Sequence, residues 1–445
     1  MRRILMAFLV GVLPVASMAQ SGTNSPYSQY GLGVLSEQTG GYNREMNGLG
    51  YGLRESNRVN TLNPASYSSI DSLTFIFDVG MSLQTSNFKE NTAQGSRSVN
   101  AKNADFEYVV AGFRLCKNVG ISIGVLPYTN VGYSYTNHAP EYVDAAHTTT
   151  ISRVFQGSGG FHQAYAGVGA ELFPGFSLGM NFAYLWGSYS KSAVHTLSES
   201  SANSLAKYYE ASVRNYKVDF GAQYSQRIST IDVVTVGLTY SPGHNIGGNP
   251  RCLIVSSNSE TSLADTALLP LHAKKLHLQI PSIYGLGGAW KHEDKWVVGI
   301  DYQLQAWKNV KTPVDIETGG TADYVLMTGQ YKNRHKVTLG GDYCPEAQGR
   351  SFFKQIHYHA GFSYTTPYLN INGKNGPKEV SATVGLAIPL LTSSIMNSIS
   401  NRSVLNISAQ WIRQSASAGL ITDNTFRINL GLTFNERWFA KWKVQ

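Results

Sequence analysis

The chain has 445 residues, of which 14% are charged and 11% aromatic, with 44 glycines, 26 tyrosines and a formal charge of +8. With its one long apolar run at the very start, it is too polar for a bundle of membrane-spanning helices, and the aromatic, glycine-rich remainder suits a transmembrane β-barrel. The basic residues are spread out rather than clustered, so nucleic acid is not expected as a partner.

Arg2 and Arg3, an apolar run from Ile4 to Val15, and then Ser17-Met18-Ala19 have the order of a secretory signal peptide over residues 1–19, with cleavage expected after Ala19. No cysteine stands at that point, so no lipoprotein anchor is expected. Residues 20–72 follow as a distinct segment. Ser25-Pro26-Tyr27-Ser28-Gln29-Tyr30-Gly31-Leu32-Gly33, Met46-Asn47-Gly48-Leu49-Gly50-Tyr51-Gly52-Leu53 and Asn60-Thr61-Leu62-Asn63-Pro64-Ala65-Ser66-Tyr67 set glycines beside bulky apolar groups. Such a mixture suits backbone packed closely inside something, and a barrel of fourteen strands is wide enough to need filling.

From residue 73 to the end the sequence alternates with a period of two. Phe176, Leu178, Met180, Phe182, Tyr184 and Trp186 share one face of a strand, with Ser177, Gly179, Asn181 and Ala183 on the other. A tilted strand needs roughly nine to eleven residues to cross a bilayer, and this one is long enough. Strands are expected near 73–86, 104–116, 119–135, 161–172, 176–190, 213–228, 231–241, 280–291, 295–308, 334–344, 354–366, 379–389, 403–415 and 424–434. Short connections at Lys117-Asn118, Phe173-Pro174-Gly175, Ser229-Thr230 and His292-Glu293-Asp294 alternate with long ones near 87–103, 136–160, 191–212, 242–279 and 309–333. In outer-membrane barrels the short turns are periplasmic and the long loops extracellular, which places both termini in the periplasm. Residues 345–353 and 390–402 are long for periplasmic turns, so twelve or sixteen strands stay open.

The polar face carries Asp78, Lys217, Asp219, Asp301, Lys336, Asp342 and Arg427. Such a face suits a wet or salt-bridged lumen, and most of these charges are expected in salt bridges or plug contacts. Trp438, Phe439 and Trp442 with Lys441 and Lys443 fit an interfacial girdle after the last strand. A soluble propeller or sandwich has many alternating strands too, but neither predicts this alternation of long and short connections.

The glycine-rich N-terminus, the Asn63-Pro64-Ala65 tripeptide before strand one and the expected barrel resemble the FadL/TodX family of outer-membrane transporters for hydrophobic compounds. Gly157-Ser158-Gly159-Gly160, Pro281-Ser282-Ile283-Tyr284-Gly285-Leu286-Gly287 and the closing Asn435-Glu436-Arg437-Trp438-Phe439 look like its Bacteroidota-type branch. The resemblance implies an N-terminal hatch over residues 20–72, a barrel over 73–445, a hydrophobic pocket in the lumen, and exit through a gap beside the third strand. Pro127 stands in the middle of that strand, three residues after Gly124, and has no N–H to give to a ladder, so a bulge or lateral gate is expected there.

No Gly-x-Ser-x-Gly elbow, HExxH, Walker loop or EF-hand loop is present, and no enzyme activity or cofactor is expected. His357 and His359 share a strand face but have no third ligand nearby in sequence, so no metal site is expected. Cys116, Cys252 and Cys344 read as incidental thiols with at most one disulfide. The sequence thus suggests an outer-membrane channel for passive uptake of a hydrophobic small molecule, its ligand meeting Tyr27, Tyr30, Leu32, Met46, Leu49, Tyr51, Asn63, Pro64 and Ala65. The alternative is a FadL-like barrel serving a secretion machine as a structural or cargo-handling subunit. Expected partners are membrane lipid, the hydrophobic ligand and the barrel-assembly machinery during biogenesis, with a secretion-system partner under the alternative.

Overall fold

A computed structural model of the protein describes residues 22–437 except 93–94, 137–140, 143–148, 200, 259, 262–263, 271–274, 319–320, 348, 350, 391–402 and 417–420. The signal peptide and the Trp438–Lys443 girdle therefore lie outside the described residues. Fourteen antiparallel strands form the wall: β1 (Thr74–Thr92), β2 (Gly95–Cys116), β3 (Val119–Thr136), β4 (Thr150–Phe173), β5 (Phe176–Leu197), β6 (Ser204–Arg227) and β7 (Asp232–Ser241), then β8 (Ile283–His292), β9 (Trp296–Gln305), β10 (Arg334–Tyr343), β11 (His357–Thr365), β12 (Lys378–Pro389), β13 (Val404–Ser415) and β14 (Thr422–Arg437). Each pairs with the next, and β14 closes on β1 from Thr74 opposite Arg437 to Lys89 opposite Thr422. The strand count is thus fourteen, and the long connection at 345–353 leads into a short helix, Phe352–Gln355.

Outward side chains form an apolar band around the wall. Phe182, Phe220, Leu238, Leu286, Ile300, Leu339, Phe362 and Val384, from eight successive strands, are each between 44% and 64% exposed. A continuous belt of this kind far exceeds the few hundred Å² that a soluble monomer leaves bare, and it matches a lipid-facing surface. The short turns lie where expected, with Gly175 at φ +84° in the turn between β4 and β5, a conformation that favours glycine.

At the other end β2, β4, β5 and β6 run for 22 to 24 residues, well beyond the membrane-length segments read from the pattern. Their upper parts rise above the bilayer as a water-facing wall. Stretches such as Gly95–Asn103 carry polar residues on both faces, so hydrophobic alternation could not mark them as strand.

The 242–279 loop folds back on the barrel. His244–Gly248 pairs with His277–Ile280, and the hairpin Arg251–Ser257/Ala264–Leu269 continues the wall by pairing with the top of β6. Leu269 is buried with Cys252, Leu276 and Tyr324, and Leu268 is left exposed.

Candidate functional site

Residues 22–72 occupy the lumen. Their local order comes from the Asn63-Pro64-Ala65 tripeptide: Asn63 caps the 3-10 helix Pro64–Ser69 by accepting a hydrogen bond from the Ala65 amide at 3.1 Å, and Pro64 sits at the first helical position, where its missing N–H costs nothing. The Asn63 Nδ2 group donates to the carbonyls of Tyr51, at 2.9 Å, and of Ala222 on β6, at 3.2 Å. One side chain therefore ties the helix, the plug segment around Tyr51 and the wall together.

The wall receives this backbone on inward-facing glycines that lie opposite one another across strands. Gly169 of β4 faces Gly179 of β5, which faces Gly221 of β6; Gly299 of β9 faces Gly340 of β10, which faces Gly361 of β11. A Cβ on Gly179 would collide with the Pro64 backbone, and one on Gly237 with the Tyr51 carbonyl. These glycines let main chain lie on main chain, so the plug fits without side chains between.

Polar groups fasten the rest. Asp301 accepts from the amides of Gly50, at 2.6 Å, and Tyr51, at 2.8 Å, while Asp78 accepts from Gly41 at 3.3 Å. The Asn47 side-chain oxygen Oδ1 accepts from the Ser381 and Thr383 hydroxyls and the Gln410 amide at 2.8, 3.1 and 2.9 Å. Arg44, 1% exposed, reaches Glu107 of β2 at 3.0 Å and Glu37 at 4.0 Å. Burial opposes the charge on Glu37, but the fields of Lys336, Arg44 and Arg427 outweigh it and bring the carboxyl from its usual 4.5 down to about 2. Of the other lumen charges, Lys217 pairs with Asp219 and Arg427 reaches Gln84 and Gln410.

The six bulky candidates do not converge. Tyr27 and Leu32 enter an aromatic cluster toward the extracellular end with Tyr128, Tyr133, Phe161, Tyr189 and Trp307, and Tyr30 packs at its edge. Met46 and Leu49 join a separate cluster with Tyr42, Leu53, Ala289 and Val297. Tyr51 lies between, its hydroxyl accepting from Gln303 at 2.6 Å. Both clusters are packed protein. A cavity of about 190 Å³ remains in the lumen, lined by Glu37, Gln38, Glu107, Lys336, Arg427 and Asp423 together with Tyr51 and Trp307. Apolar side chains such as Val34, Leu35, Leu62, Ile283 and Ile412 share its lining with these charges.

Around Pro127 the wall is incomplete. The ladder between β2 and β3 runs from Cys116 opposite Val119 only to Val109 opposite Val125, with Gly124 inside the paired part. Beyond it the plug takes over: Val34 and Leu35 pair with Asn130 and Thr129, Ser36 donates to the Tyr128 carbonyl at 3.1 Å, and Gln38 donates to the Pro127 carbonyl at 2.8 Å. On its other side β3 stays paired with β4 through a bulge between Pro127 and Thr129. The bulge sits at the proline, and the unpaired edge faces β2.

Nothing in the sequence marks Glu37, Arg44, Glu45, Asn47 or Glu107 as plug fastenings, whereas Asp301, one of the lumen charges expected in salt bridges or plug contacts, meets the plug through the Gly50 and Tyr51 amides. The available signal was the inward glycine recurring in successive strands, which marks where a plug backbone must touch. Nor does the sequence mark what surrounds His357 and His359: β10 supplies Asp342 and the plug supplies Glu45.

A closed fourteen-strand wall with a lipid-facing belt and a filled lumen defines a plugged transmembrane barrel of the outer-membrane type. The family model described as BamG matches residues 1–445, and the chain belongs to that family. No curated protein matches by sequence. Among solved structures, the Pseudomonas putida toluene transporter TodX superposes with a TM-score of 0.60 at 14% identity, covering 91% of this chain and 100% of its own. The Ralstonia pickettii toluene transporter TbuX gives 0.59 at 12%, covering 89% and 98%, and a Pseudomonas aeruginosa FadL homologue gives 0.60 at 13%, covering 90% and 99%. The FadL/TodX-like fold expected from the sequence is therefore present, and at these identities the likeness is one of fold.

Proposed function

We propose that the protein is a sealed barrel that acts as a structural subunit of the outer-membrane machinery that assembles other barrels, and that residues 20–72 are its fixed plug. The observation that carries this reading is the seat of the plug: main chain on wall glycines, amides on Asp301 and Asp78, and Arg44 on Glu107. A plug held at so many points suits a wall that must be stable and closed, and an apolar ligand in the cavity of about 190 Å³ would have to desolvate Glu37, Glu107, Lys336 and Arg427. Membership of the BamG family supports a link to barrel assembly. The test is cross-linking in native outer membranes followed by identification of the linked proteins. Links to barrel-insertion components support the proposal, and a barrel linked to nothing from that machinery contradicts it.

One observation favours a second reading, passive uptake of a hydrophobic small molecule with lateral release. The β2–β3 ladder ends at Val125, and the gap beyond it is closed by one short plug segment, Val34–Gln38, through the pairing of Val34 and Leu35 with β3 and the hydrogen bonds of Ser36 and Gln38. Withdrawal of that segment would open the wall toward lipid beside Pro127, and proteins of the same fold bear the names of toluene transporters. Uptake of radiolabelled toluene by cells with and without the protein tests it. A rate that depends on the protein supports passage, and equal rates exclude it.

A further inference from the structure

Near the periplasmic end of the lumen, four side chains from three elements meet. Nδ1 of His357 lies 2.9–3.0 Å from both carboxylate oxygens of Asp342, and Nε2 of His359 lies 3.3 Å from Asp342 Oδ1. Nδ1 of His359 lies 2.6 Å from Glu45 Oε2 on the plug helix Gly41–Glu45. The His359 side chain has no exposure, Glu45 is 2% exposed and Asp342 7%. His357, at 30%, is the opening toward the periplasm.

Neither ring nitrogen of His359 has a partner with hydrogen-bond geometry, and neither carboxylate oxygen of Glu45 does, although all four atoms are buried. Groups left so are costly in a protein interior unless something else satisfies them. With both imidazoles neutral, as metal ligation requires, the two carboxylates leave a charge of about −2 for a divalent cation to balance; without a metal, a proton on His359 between Glu45 and Asp342 takes that place. Arg58 stacks on the Tyr42 ring at 4.1 Å, but among the described residues no ion pair joins it to Glu45 or Asp342.

The geometry points to a divalent-metal site of the zinc class, with His357, His359 and Asp342 as ligands and Glu45 as the group that orients His359. One atom from each of the three ligands lies within 4.8 Å of the others. Tetrahedral zinc with bonds of about 2.0–2.1 Å needs its ligands about 3.3 Å apart; both histidines already stand 2.9–3.3 Å from Asp342, and their two rings, with centroids 6.1 Å apart, would have to turn their ligand nitrogens toward each other. Two imidazoles and a carboxylate suit zinc better than calcium or magnesium, which take oxygen donors. With Nε2 on the metal, Nδ1–H of His359 faces the Glu45 carboxylate, the arrangement that commonly fixes a ligating histidine. The metal would thereby fasten the plug helix to β10 and β11 through Glu45.

The test uses the full-length protein in detergent, stripped with a chelator, dialysed against zinc chloride and counted by mass spectrometry, with cobalt chloride as a spectroscopic probe. One zinc per barrel and a visible cobalt band of tetrahedral type are expected. His357→Gln alters a half-exposed side chain and leaves the packing in place, so the heat-modifiable gel shift of the folded barrel should persist while the affinity drops tenfold or more. Glu45→Gln should weaken binding by about 10- to 100-fold and leave the site at full occupancy under excess zinc. No zinc retained by the folded barrel, or uptake that His357→Gln leaves unchanged, overturns the proposal.

Discussion

Arg44→Met tests the plug's main electrostatic fastening. Its guanidinium is 1% exposed, 3.0 Å from Glu107 and 4.0 Å from Glu37, and Glu107 has one further donor, the Ser82 hydroxyl at 2.5 Å. Removing one partner of a buried pair costs about 3–5 kcal/mol, because the other charge stays behind uncompensated. The polar cavity of about 190 Å³ that both carboxylates line admits water, which moves the expectation to the lower end, about 3 kcal/mol. At about 1.4 kcal/mol per decade this is roughly a hundredfold shift in plug opening. Hydrogen exchange of the protein in nanodiscs should then show the Arg44–Gly48 amides, bonded locally to Gly40, Asn43 and Arg44, exchanging roughly a hundredfold faster, with the strands unchanged. Arg44→Met combined with Glu107→Gln should recover most of the protection, since replacing both members of a buried pair is far less costly than removing one. Unchanged exchange in the single variant, or a double variant worse than the single, would refute the reasoning.

Gly179→Val should unseat the Pro64–Ser69 helix, because its Cβ meets the Pro64 backbone, and planar-bilayer recordings should show steady conductance where the unmodified protein is silent. Deleting residues 22–72 from the mature protein should give a larger conductance with the strands still folded; a silent barrel after the deletion would mean that something other than the plug closes it. The folded-state pKa of Glu37 lies below its usual value, so its contribution to plug docking is complete above pH 4.5 and lost as the pH falls toward about 2. Conductance recorded over that window should rise with acid in the unmodified protein, whereas Glu37→Gln should remove this component and leave a flatter profile.

The barrel was legible because lipid imposes a strict rule. Each crossing strand must turn one face outward, and Phe182 and Tyr184 alternating with Asn181 and Ala183 record that rule over the length of a bilayer. Where water covers both faces, as at Gly95–Asn103, nothing in the pattern separates strand from loop, and the upper wall was missed. Pro127 signalled a break in β3, but a missing N–H does not say which neighbour loses its ladder; the answer depended on the plug strand at Val34–Leu35. The same holds for the histidines. His357 and His359 are visible as a pair, but Asp342 and Glu45 reach them only through the pairing of β10 with β11 and the seating of the plug. Of the plug's tyrosines and leucines, Tyr27, Leu32 and Leu49 lie in packed clusters and Tyr51 lines the cavity, a division that depends on the seating of the plug and that composition does not carry.

Whether this barrel is sealed and works with protein partners shows in what leaves the membrane with it. Native mass spectrometry of the protein, extracted from its own outer membrane in mild detergent, tests it most directly. Stoichiometric complexes with components of the barrel-assembly machinery and a barrel mass free of lipophilic ligand are expected. A lone barrel carrying one hydrophobic small molecule would contradict the proposal.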